Sequence, residues 1–411
     1  VRLSDPIVTA FTEAQLIALV LELEASGPPV LSALANTLGE TSVSMEDCDN
    51  AVPPTVPCDQ SFHGEDPPGA QNALVQMRGD TVLRRGLRGG GKQVWVIDSG
   101  YDATHPDLSG TGSNVSPEDV QPDSDDDTDG HGTRMTGIIA ATAGNGIGIS
   151  GVAPSATTRV DKIALPIDTP AAFTAMVAAF TRASQAPVPP DVINASFGGC
   201  WDAASTIWGV DDLCTAVRDT IGEQSVEIVV VASAGNTTNG CSPNTSRFWP
   251  GACDVVRNNE LPGRTGTALF FNPTQATGLI TVGNVDASNR LHATSLRGSQ
   301  VDISAPGTNV LSTKDGGGYN RGTGTSEAAA MTTGAVAVLL AKGIPPGSIA
   351  GRLADTAVPV LTQAGAVDPQ GGAGRIDLLA AANDTPSVNA GQSFALSAGS
   401  VGAGDLVGTV L

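Results

Sequence analysis

The sequence predicts an α/β fold in which a doubly wound, mostly parallel sheet is flanked by helices. Short apolar runs without polar interruptions indicate strands that are buried on both faces, as in a parallel sheet. Segments with a helical pattern lie among these runs, and strands alternating with helices are typical of a doubly wound sheet. The strand candidates are Val94–Ile97, Val192–Ile193, Ile228–Val231 and Leu279–Val282, and the helix candidates lie near residues 132–143, 171–185, 209–222, 327–342 and 375–382.

The two ends of the chain differ from this central part. Residues 1 to about 45 have a helical pattern that breaks at Gly27-Pro28-Pro29, which predicts an N-terminal helical extension. Residues 46–69 are rich in proline, aspartate and cysteine and predict a disulfide-stapled linker, whereas the polar, alternating residues 383–411 predict a short β-rich tail. We therefore expect an extension and linker over residues 1–69, a main domain over 70–382 and a tail over 383–411.

The composition limits what the chain binds. Its 411 residues are enough for a large core, and 50 glycines with only 4% aromatic residues suit a tightly packed α/β domain. The formal net charge is −21, from 42 acidic and 21 basic side chains. Because nucleic acids and anionic membranes repel such a surface, we expect neither as a partner. No stretch is long and apolar enough to cross a membrane, and we expect a monomer.

The cysteines indicate an oxidising compartment. The six cysteines fall into three sequence-local pairs, with no metal-binding spacing: Cys48 with Cys58, Cys200 with Cys214, and Cys241 with Cys253. Local pairing is the expectation, although any of the fifteen connectivities of six cysteines remains open. The chain starts at Val1 without a signal-peptide pattern, so we interpret it as processed material from a secreted precursor.

Four polar side chains stand at strand ends or helix starts, where active groups gather in doubly wound sheets. Asp98 ends the first strand, His131 lies between two glycines at a helix start, Asn236 follows another strand, and Ser326 begins a helix. Each alone has a structural explanation, such as a turn residue or an N-cap. A serine hydroxyl needs a base and a group that orients this base, so the significance of Ser326 depends on the other residues.

Taken together, these residues and several further motifs resemble the subtilisin family of serine proteases. The resemblance runs from about residue 70 to about residue 382. The matching motifs are Val96–Gly100, His105-Pro106-Asp107-Leu108, His131-Gly132-Thr133, Gly151-Val152-Ala153-Pro154, Ile193–Gly199, Ala234-Gly235-Asn236, Ala305-Pro306-Gly307 and Gly324-Thr325-Ser326.

The resemblance implies a subtilisin-like fold and a secreted serine endopeptidase that acts on proteins or peptides. Ser326 would attack the scissile carbonyl, and His131 would take its proton and return it to the leaving amine. Asp98 would orient the imidazole and stabilise its protonated form. Asn236 and the backbone N–H of Ser326 would receive the oxyanion, with the asparagine worth about 10² to 10³ in rate.

The resemblance also implies a substrate groove. Ser196-Phe197-Gly198 would pair with the substrate as an added strand, and Ser233-Ala234-Gly235 would line the pocket for the P1 side chain. Trp249-Pro250-Gly251 matches the family's Tyr-Pro-Gly motif near this pocket, where the family has a cis proline. Phe248 would then stand where a small residue often opens the pocket floor, so we expect a restricted P1 pocket.

Calcium is a second implication of the resemblance. Oxygen ligands from one carboxylate, amide side chains and several backbone carbonyls suit a structural calcium ion; an ordinary glycine-rich turn is the alternative. The ligands would be Asp107, Ala143, Asn145, Ile147, Ile149 and Gln71. The acidic run Asp123–Asp129 is not an EF-hand, because Thr136 stands where a bidentate glutamate is needed. We expect a solvated loop that favours imidazolium at His131 and attracts cationic substrate residues.

Three departures from the family pattern leave alternatives open. Glu327 follows the serine where methionine is usual, and it would be protonated, turned away or close to the oxyanion. Arg134 replaces a common histidine, which we expect to affect packing more than chemistry. Residues 163–170 contain two prolines where a groove wall is usual, which weakens the case for extended peptides. A peptide-binding pseudoprotease and a specialised processing or transpeptidating enzyme are therefore the alternatives to an endopeptidase.

Overall fold

A computed structural model describes most of the central part of the chain. The described residues are 71–108, 115–116, 127, 129–145, 147–163, 170–201, 210–222, 228–239, 241–242, 247–254, 278–382, 393–396 and 406–409. The predicted extension and linker over residues 1–69, with Cys48 and Cys58, and most of the segment 163–170 lie outside the described residues.

A seven-stranded parallel sheet forms the centre of the fold. The described strands are β1 (Gln93–Asp98), β2 (Val115–Ser116), β3 (Thr157–Lys162), β4 (Val192–Ala195), β5 (Gly199–Trp201), β6 (Val229–Ser233), β7 (Arg247–Trp249), β8 (Leu279–Val285), β9 (Ile303–Pro306), β10 (Val310–Thr313), β11 (Tyr319–Gly322), β12 (Ser393–Leu396) and β13 (Leu406–Thr409). The sheet has the order β2-β3-β1-β4-β6-β8-β9, and each neighbouring pair is parallel. The four predicted strands correspond to β1, β4, β6 and β8.

Helices cover both faces of this sheet. They are α1 (Asn72–Gln76), α2 (Gly79–Arg84), α3 (His131–Ala140), α4 (Pro170–Gln185), α5 (Val210–Ile221), α6 (Thr325–Ala341), α7 (Pro346–Asp355) and α8 (Leu378–Ala382). Trp95 and Ile97 of β1 belong to the core cluster that contains Phe180 of α4 and Val217 of α5. Since successive strand residues point to opposite faces, Val94 and Val96 face the other layer, which α3 and α6 form. The doubly wound prediction is therefore confirmed.

Helix α6 is central to the fold and carries Ser326 near its start. Nearly all its residues are buried, as expected for a helix without a polar face. It contacts β4, β6, β8 and β9 along one side and α3 along another. A Cβ on Gly334 would lie 2.5 Å from Cβ of Val152, so only a glycine allows α6 to approach the Gly151–Pro154 turn this closely.

Smaller elements complete the described structure. Antiparallel β10 and β11 form a hairpin that leads into α6, and β5 pairs antiparallel with β7. Strands β12 and β13, in the segment where a β-rich tail was predicted, form an antiparallel hairpin and belong to a second compact unit. Among the described residues, no single helix has the length and apolarity of a membrane span; only α6 and α7 together, bent by 117°, meet that test.

Candidate active site

Asp98 and His131 meet at the carboxyl edge of the sheet. Asp98 is the last residue of β1, and His131 is the first residue of α3. Nδ1 of His131 donates to Oδ1 of Asp98 at 2.7 Å. The Asp98 side chain is 3% exposed and the His131 side chain 25%, so the imidazole lies between a buried carboxylate and solvent. Asp98 therefore fixes the imidazole with Nδ1 protonated and Nε2 directed elsewhere.

The charges around His131 favour its protonated form. Burial disfavours protonation, but the charge and hydrogen bond of Asp98, followed by the charge of Glu327, outweigh burial and the repulsion of Arg134. Together they raise the pKa of His131 from 6.5 to about 9. The imidazolium is therefore stabilised in the folded protein. A side chain that acts as a base needs this stabilisation, because it carries a positive charge after it has received a proton.

Asp127 holds the segments that carry Asp98 and His131 together through hydrogen bonds. It was not identified as a site residue from the sequence. It lies only 1% exposed, so the expectation that it belongs to a solvated acidic loop was wrong. Its carboxylate accepts hydrogen bonds from the N–H groups of Gly130 and Thr133 at the start of α3 and from Oγ of Ser99 after β1. Asp127 thus joins the helix that carries His131 to the strand end that carries Asp98. The N-cap of α3 is Gly130, so the usual signal of an aspartate at the N-cap does not identify Asp127, which lies three residues earlier.

Ser326 lies in the first turn of α6, and its hydroxyl is bonded to the main chain. Oγ of Ser326 donates to the carbonyl of Ser196 at 3.0 Å, and Oγ of Ser196 donates to the carbonyl of Ser326 at 3.1 Å. This reciprocal pair ties the start of α6 to the segment after β4. The predicted proton transfer to His131 would require this hydroxyl to turn away from Ser196, and catalytic hydrogen bonds are often formed fully only when substrate binds.

Asn236 is fixed against the same helix start. Its Oδ1 accepts hydrogen bonds from the backbone N–H of Thr325 at 3.1 Å and from the Thr325 hydroxyl at 3.4 Å. The amide orientation is thereby set, because the oxygen is occupied and Nδ2 points away from Thr325. A Cβ on Gly324 would lie 3.4 Å from Nδ2, which places this donor beside the Gly324–Ser326 turn. The arrangement leaves an N–H donor next to Ser326, the predicted nucleophile.

Phe248 fills the space between the two predicted substrate-binding segments. Gly198 follows Ser196 and Phe197, and Gly235 follows Ser233 and Ala234. A Cβ on Gly198 would lie 2.5 Å from the Phe248 ring, and a Cβ on Gly235 would lie 2.3 Å from it. Phe248 itself is 3% exposed and packs with Cys241 and Leu296, with Cys200 beside this cluster. The ring therefore occupies the region that the sequence assigned to a P1 side chain.

The disulfides differ from the predicted local pairs. Cys200 bonds to Cys241 and Cys214 bonds to Cys253, so the expected pairs Cys200 with Cys214 and Cys241 with Cys253 were wrong. The physical reason is strand pairing: β5 lies antiparallel to β7, with Cys200 opposite Phe248, which brings distant parts of the chain together. The Cys200–Cys241 bond links the segment after Gly198 to the segment after Asn236. It thus joins both sides of the space that Phe248 fills.

Two departures from the family pattern contact each other. Nε of Arg134 lies 3.1 Å from Oε1 of Glu327, and the Glu327 side chain is only 4% exposed. Glu327 is therefore neither turned to solvent nor unpaired. The expectation that Arg134 affects packing more than chemistry was incomplete, because Arg134 supplies the charge partner of Glu327.

Of the predicted calcium ligands, Asn145 and Ile149 contact the buried carboxylate of Asp107, whereas Gln71, Ala143 and Ile147 make no direct hydrogen bond to it. Asp107 is fully buried and accepts hydrogen bonds from Nδ2 of Asn145, the N–H of Ile149 and the hydroxyl of Tyr319. Gln71 bonds through both atoms of its amide to the backbone of Ser150. The N–H of Ile147 donates to Oδ1 of Asn145. Ala143 follows Thr142, whose N–H donates to the carbonyl of Asp107.

This carboxylate fits a cation. The hydrogen-bond donors to the Asp107 carboxylate are an amide, a backbone N–H and a phenol hydroxyl, all of them neutral, and His105 contacts the backbone N–H of Asp107 through Nδ1. Burial raises the pKa of Asp107 and outweighs the hydrogen bonds of Asn145, Ile149 and Tyr319 and the charge of His105, which lower it. Buried carboxylates are normally paired or bound to metal. Asn145 now turns its Nδ2 toward Asp107, and a rotation of this amide would place a second side-chain oxygen beside the carboxylate.

Comparison with known proteins gives the family of the chain. The model of the Subtilase family matches residues 89–374. Subtilisin E from Bacillus subtilis (strain 168) is 32% identical over 270 residues, which cover 66% of this chain and 60% of that protein. The major intracellular serine protease of the same organism is 30% identical over 259 residues, which cover 62% of this chain and 70% of that protein. The chain thus spans about 60% of the length of subtilisin E.

Solved structures give the same result. The MycP3 protease from the type VII (ESX-3) secretion system superposes with a TM-score of 0.62 at 26% identity, covering 78% of this chain and 90% of that one. The prenylagaramide maturation protease PagA shares the fold, with a TM-score of 0.56 at 20% identity, covering 74% of this chain and 97% of that one. Because the family model covers more than half of the chain and the parallel sheet is shared with these proteases, the chain belongs to the subtilase family.

Proposed function

We propose that this protein is a serine endopeptidase that cleaves peptide bonds through an acyl-enzyme on Ser326. The observation that carries the proposal is the 2.7 Å hydrogen bond from His131 to Asp98 at the sheet edge where α6 presents Ser326. A serine hydroxyl is activated by an imidazole that takes its proton and by a buried carboxylate that orients this imidazole.

The reaction would proceed in two halves. Ser326 Oγ attacks the scissile carbonyl carbon while Nε2 of His131 takes the hydroxyl proton. The carbon–nitrogen bond then breaks, and the protonated His131 gives this proton to the leaving amine. A water molecule, deprotonated by His131, hydrolyses the ester in the second half. Asp98 stabilises the imidazolium in both halves, and Nδ2 of Asn236 with the Ser326 N–H stabilises the oxyanion.

A reactive-serine probe tests this proposal. We expect a fluorophosphonate to label wild-type protein and Ser326→Ala to abolish both labelling and casein hydrolysis. Thr323→Ala is the matched control, since Thr323 is exposed and lies three residues away in the same turn. Folded wild-type protein that takes no label would refute the proposal and support the peptide-binding pseudoprotease. The Arg134–Glu327 contact removes one reason for that alternative, because the carboxylate beside the nucleophile is paired.

The substrate would be an extended peptide with a small P1 residue. The segment Ser196–Gly198 would pair with the peptide backbone as an added strand. Because the Phe248 ring lies between Gly198 and Gly235, a large P1 side chain would have to displace it. This restriction favours the second candidate, a processing or transpeptidating protease that acts on few sites. A proteome-derived peptide library separates the two: a processing enzyme cleaves few sequences, whereas a general endopeptidase cleaves many that share only a small P1 residue.

Calcium would act as a structural ion at the Asp107 site. Asp107, Asn145 and Gln71 would offer side-chain oxygens, and Ala143, Ile147 and Ile149 backbone carbonyls. The ion would neutralise the buried carboxylate and hold the loop between α3 and Gly151. The support is that the three hydrogen-bond donors to this buried carboxylate, Asn145, Ile149 and Tyr319, are all neutral.

An oxidising location is proposed for the protein. The described part of the chain contains two disulfides, and the four cysteines found there are all paired. Disulfides persist in secreted proteins and not in the reducing cytosol of most organisms. We propose a secreted monomer, and size-exclusion chromatography with light scattering of the culture-medium protein tests both parts.

A further inference from the structure

The ion pair of Arg134 and Glu327 joins the helices that carry the proposed base and the proposed nucleophile. Arg134 is one turn after His131 on α3, and Glu327 directly follows Ser326 on α6. The Nε–Oε1 distance is 3.1 Å, with the arginine side chain 23% exposed and the glutamate 4% exposed. The pair therefore links the helix of the base to the helix of the nucleophile.

Two glycines make room for this carboxylate. A Cβ on Gly322 would lie 2.0 Å from Oε1 of Glu327 and 3.0 Å from Nε of Arg134. A Cβ on Gly324 would lie 2.9 Å from Oε2 and 3.4 Å from Nδ2 of Asn236. The Gly322–Gly324 segment thus closes over Glu327, and the carboxylate and the oxyanion donor flank the same glycine.

A carboxylate at this place has opposite effects on two charges that form during the reaction. It attracts the imidazolium of His131, and it repels the oxyanion that forms beside Asn236. At separations of a few ångströms either effect is large enough to change the reaction rate. A neighbouring guanidinium reduces both effects and fixes the carboxylate's position, because an arginine cannot lose its proton in proteins.

We propose that Glu327 and Arg134 are paired positioning residues: Glu327 is a second carboxylate that stabilises the protonated imidazole of His131, and Arg134 prevents this charge from opposing the oxyanion. The inference rests on the proposed roles of His131, Asn236 and Ser326. It explains why two unusual residues occur together, since either one alone would leave a buried or catalytically harmful charge.

Other charged groups near His131 come from several elements. Asp98 ends β1 and bonds to Nδ1, while Asp127 and the exposed Asp129 precede α3. Asp315, at the tip of the β10–β11 hairpin, has its Cβ 3.5 Å from the place of a Cβ on Gly130. These groups stay unchanged in the variants below, so a shift between variants reports on the pair alone.

The test is the pH dependence of kcat/KM for the full chain and four variants, with active enzyme counted by fluorophosphonate labelling. Glu327→Gln should lower the midpoint of the rise with pH by roughly half a unit or more, because His131 loses an attracting charge. Arg134→Gln should raise this midpoint and lower kcat about tenfold above it, because Glu327 loses its partner. The double variant should lie between the single ones. Arg134→Lys keeps the positive charge and should leave the midpoint near that of wild type.

The outcomes separate this inference from the proposed function. The inference is overturned if the midpoints of both single variants move in the same direction. It is also overturned if labelling persists and neither midpoint moves, because a purely structural pair would only reduce stability and the active fraction. Absence of labelling in wild-type protein overturns the proposed function instead. If Arg134→Gln does not fold, Glu327→Gln and Arg134→Lys decide: a lowered midpoint in the first and an unchanged one in the second support the inference, and any other combination refutes it.

Discussion

Asp127 accepts two hydrogen bonds from Thr133, one from its N–H and one from its hydroxyl, each at 2.7 Å. The same carboxylate also accepts hydrogen bonds from the Ser99 hydroxyl and the Gly130 N–H, so four donors surround one buried carboxylate. These contacts join β1 to the first turn of α3. The relative position of Asp98 and His131 therefore depends on a residue that takes no part in proton transfer.

We predict that Asp127→Ala lowers both stability and activity. The change leaves the four donors without their acceptor, and the loss of these hydrogen bonds to a buried carboxylate should cost about 2 to 4 kcal/mol. Thermal unfolding should show a Tm lower by roughly 5 °C or more. Asp129→Ala is the control, since Asp129 is exposed two residues later. Equal melting curves for both variants would show that Asp127 does not hold this junction.

Removal of the Asp98 charge should alter the pH profile as well as the rate. In the proposed mechanism activity requires neutral His131, so kcat/KM should rise as pH increases through the His131 pKa, with a wild-type midpoint above the ordinary value of about 6.5. Asp98→Asn removes the charge that raises this pKa and should move the midpoint to lower pH. It should also lower kcat by about 10⁴, because the imidazole loses its productive tautomer.

The matched control for Asp98 is Asp102→Asn. Asp102 is also buried, but its carboxylate accepts hydrogen bonds from Thr104 and Gly316 rather than from His131. Its replacement should leave the midpoint in place. A shift of similar size in both variants would mean that the profile reports general charge and not the Asp98–His131 contact.

Calcium should stabilise the fold through Asp107. At a concentration of 100 times Kd, a ligand that binds only the folded state adds about 2.7 kcal/mol, which corresponds to a Tm increase of roughly 5 to 10 °C. We expect EDTA to remove this increase and Asp107→Asn to make Tm independent of calcium. Asp161→Asn breaks the ion pair with Arg182 and should lower Tm without changing the calcium effect. A wild-type Tm that EDTA leaves unchanged would contradict the calcium proposal.

The sequence predicted those features whose cause is local. Apolar runs such as Ile228–Val231 correspond to β6 because a strand buried on both faces needs an uninterrupted run. Asp98, Asn236 and Ser326 could be placed at strand ends and helix starts for the same reason. The partner of Glu327 could not be predicted, because Arg134 is distant in sequence and meets it only when α3 packs against α6.

The disulfides show a second limit of sequence reasoning. Nearness along the chain suggested Cys200 with Cys214, but the Cys200–Cys241 bond spans 41 residues and Cys214–Cys253 spans 39. We predict that a peptide map under non-reducing conditions contains the two long-range pairs and neither local pair. Reduction before digestion is the control, and it should release all four peptides. Recovery of a peptide in which Cys200 is linked to Cys214 would contradict the structure.

Phe248 should determine the P1 preference. Its ring is the side chain nearest to Gly235 and fills the space toward Gly198, so wild-type protein should cleave best after glycine or alanine. Phe248→Gly removes the ring and should increase kcat/KM for phenylalanine at P1 relative to alanine by about 10-fold or more, since burying a large apolar side chain contributes about 1.5 to 3 kcal/mol. Leu296→Ala is the control, because Leu296 belongs to the same buried cluster but is not the side chain nearest to either glycine. It should lower stability without changing the P1 ratio. A P1-varied peptide series measures both variants, and wild-type cleavage that is fastest after large aromatic residues would show that the ring does not close the pocket.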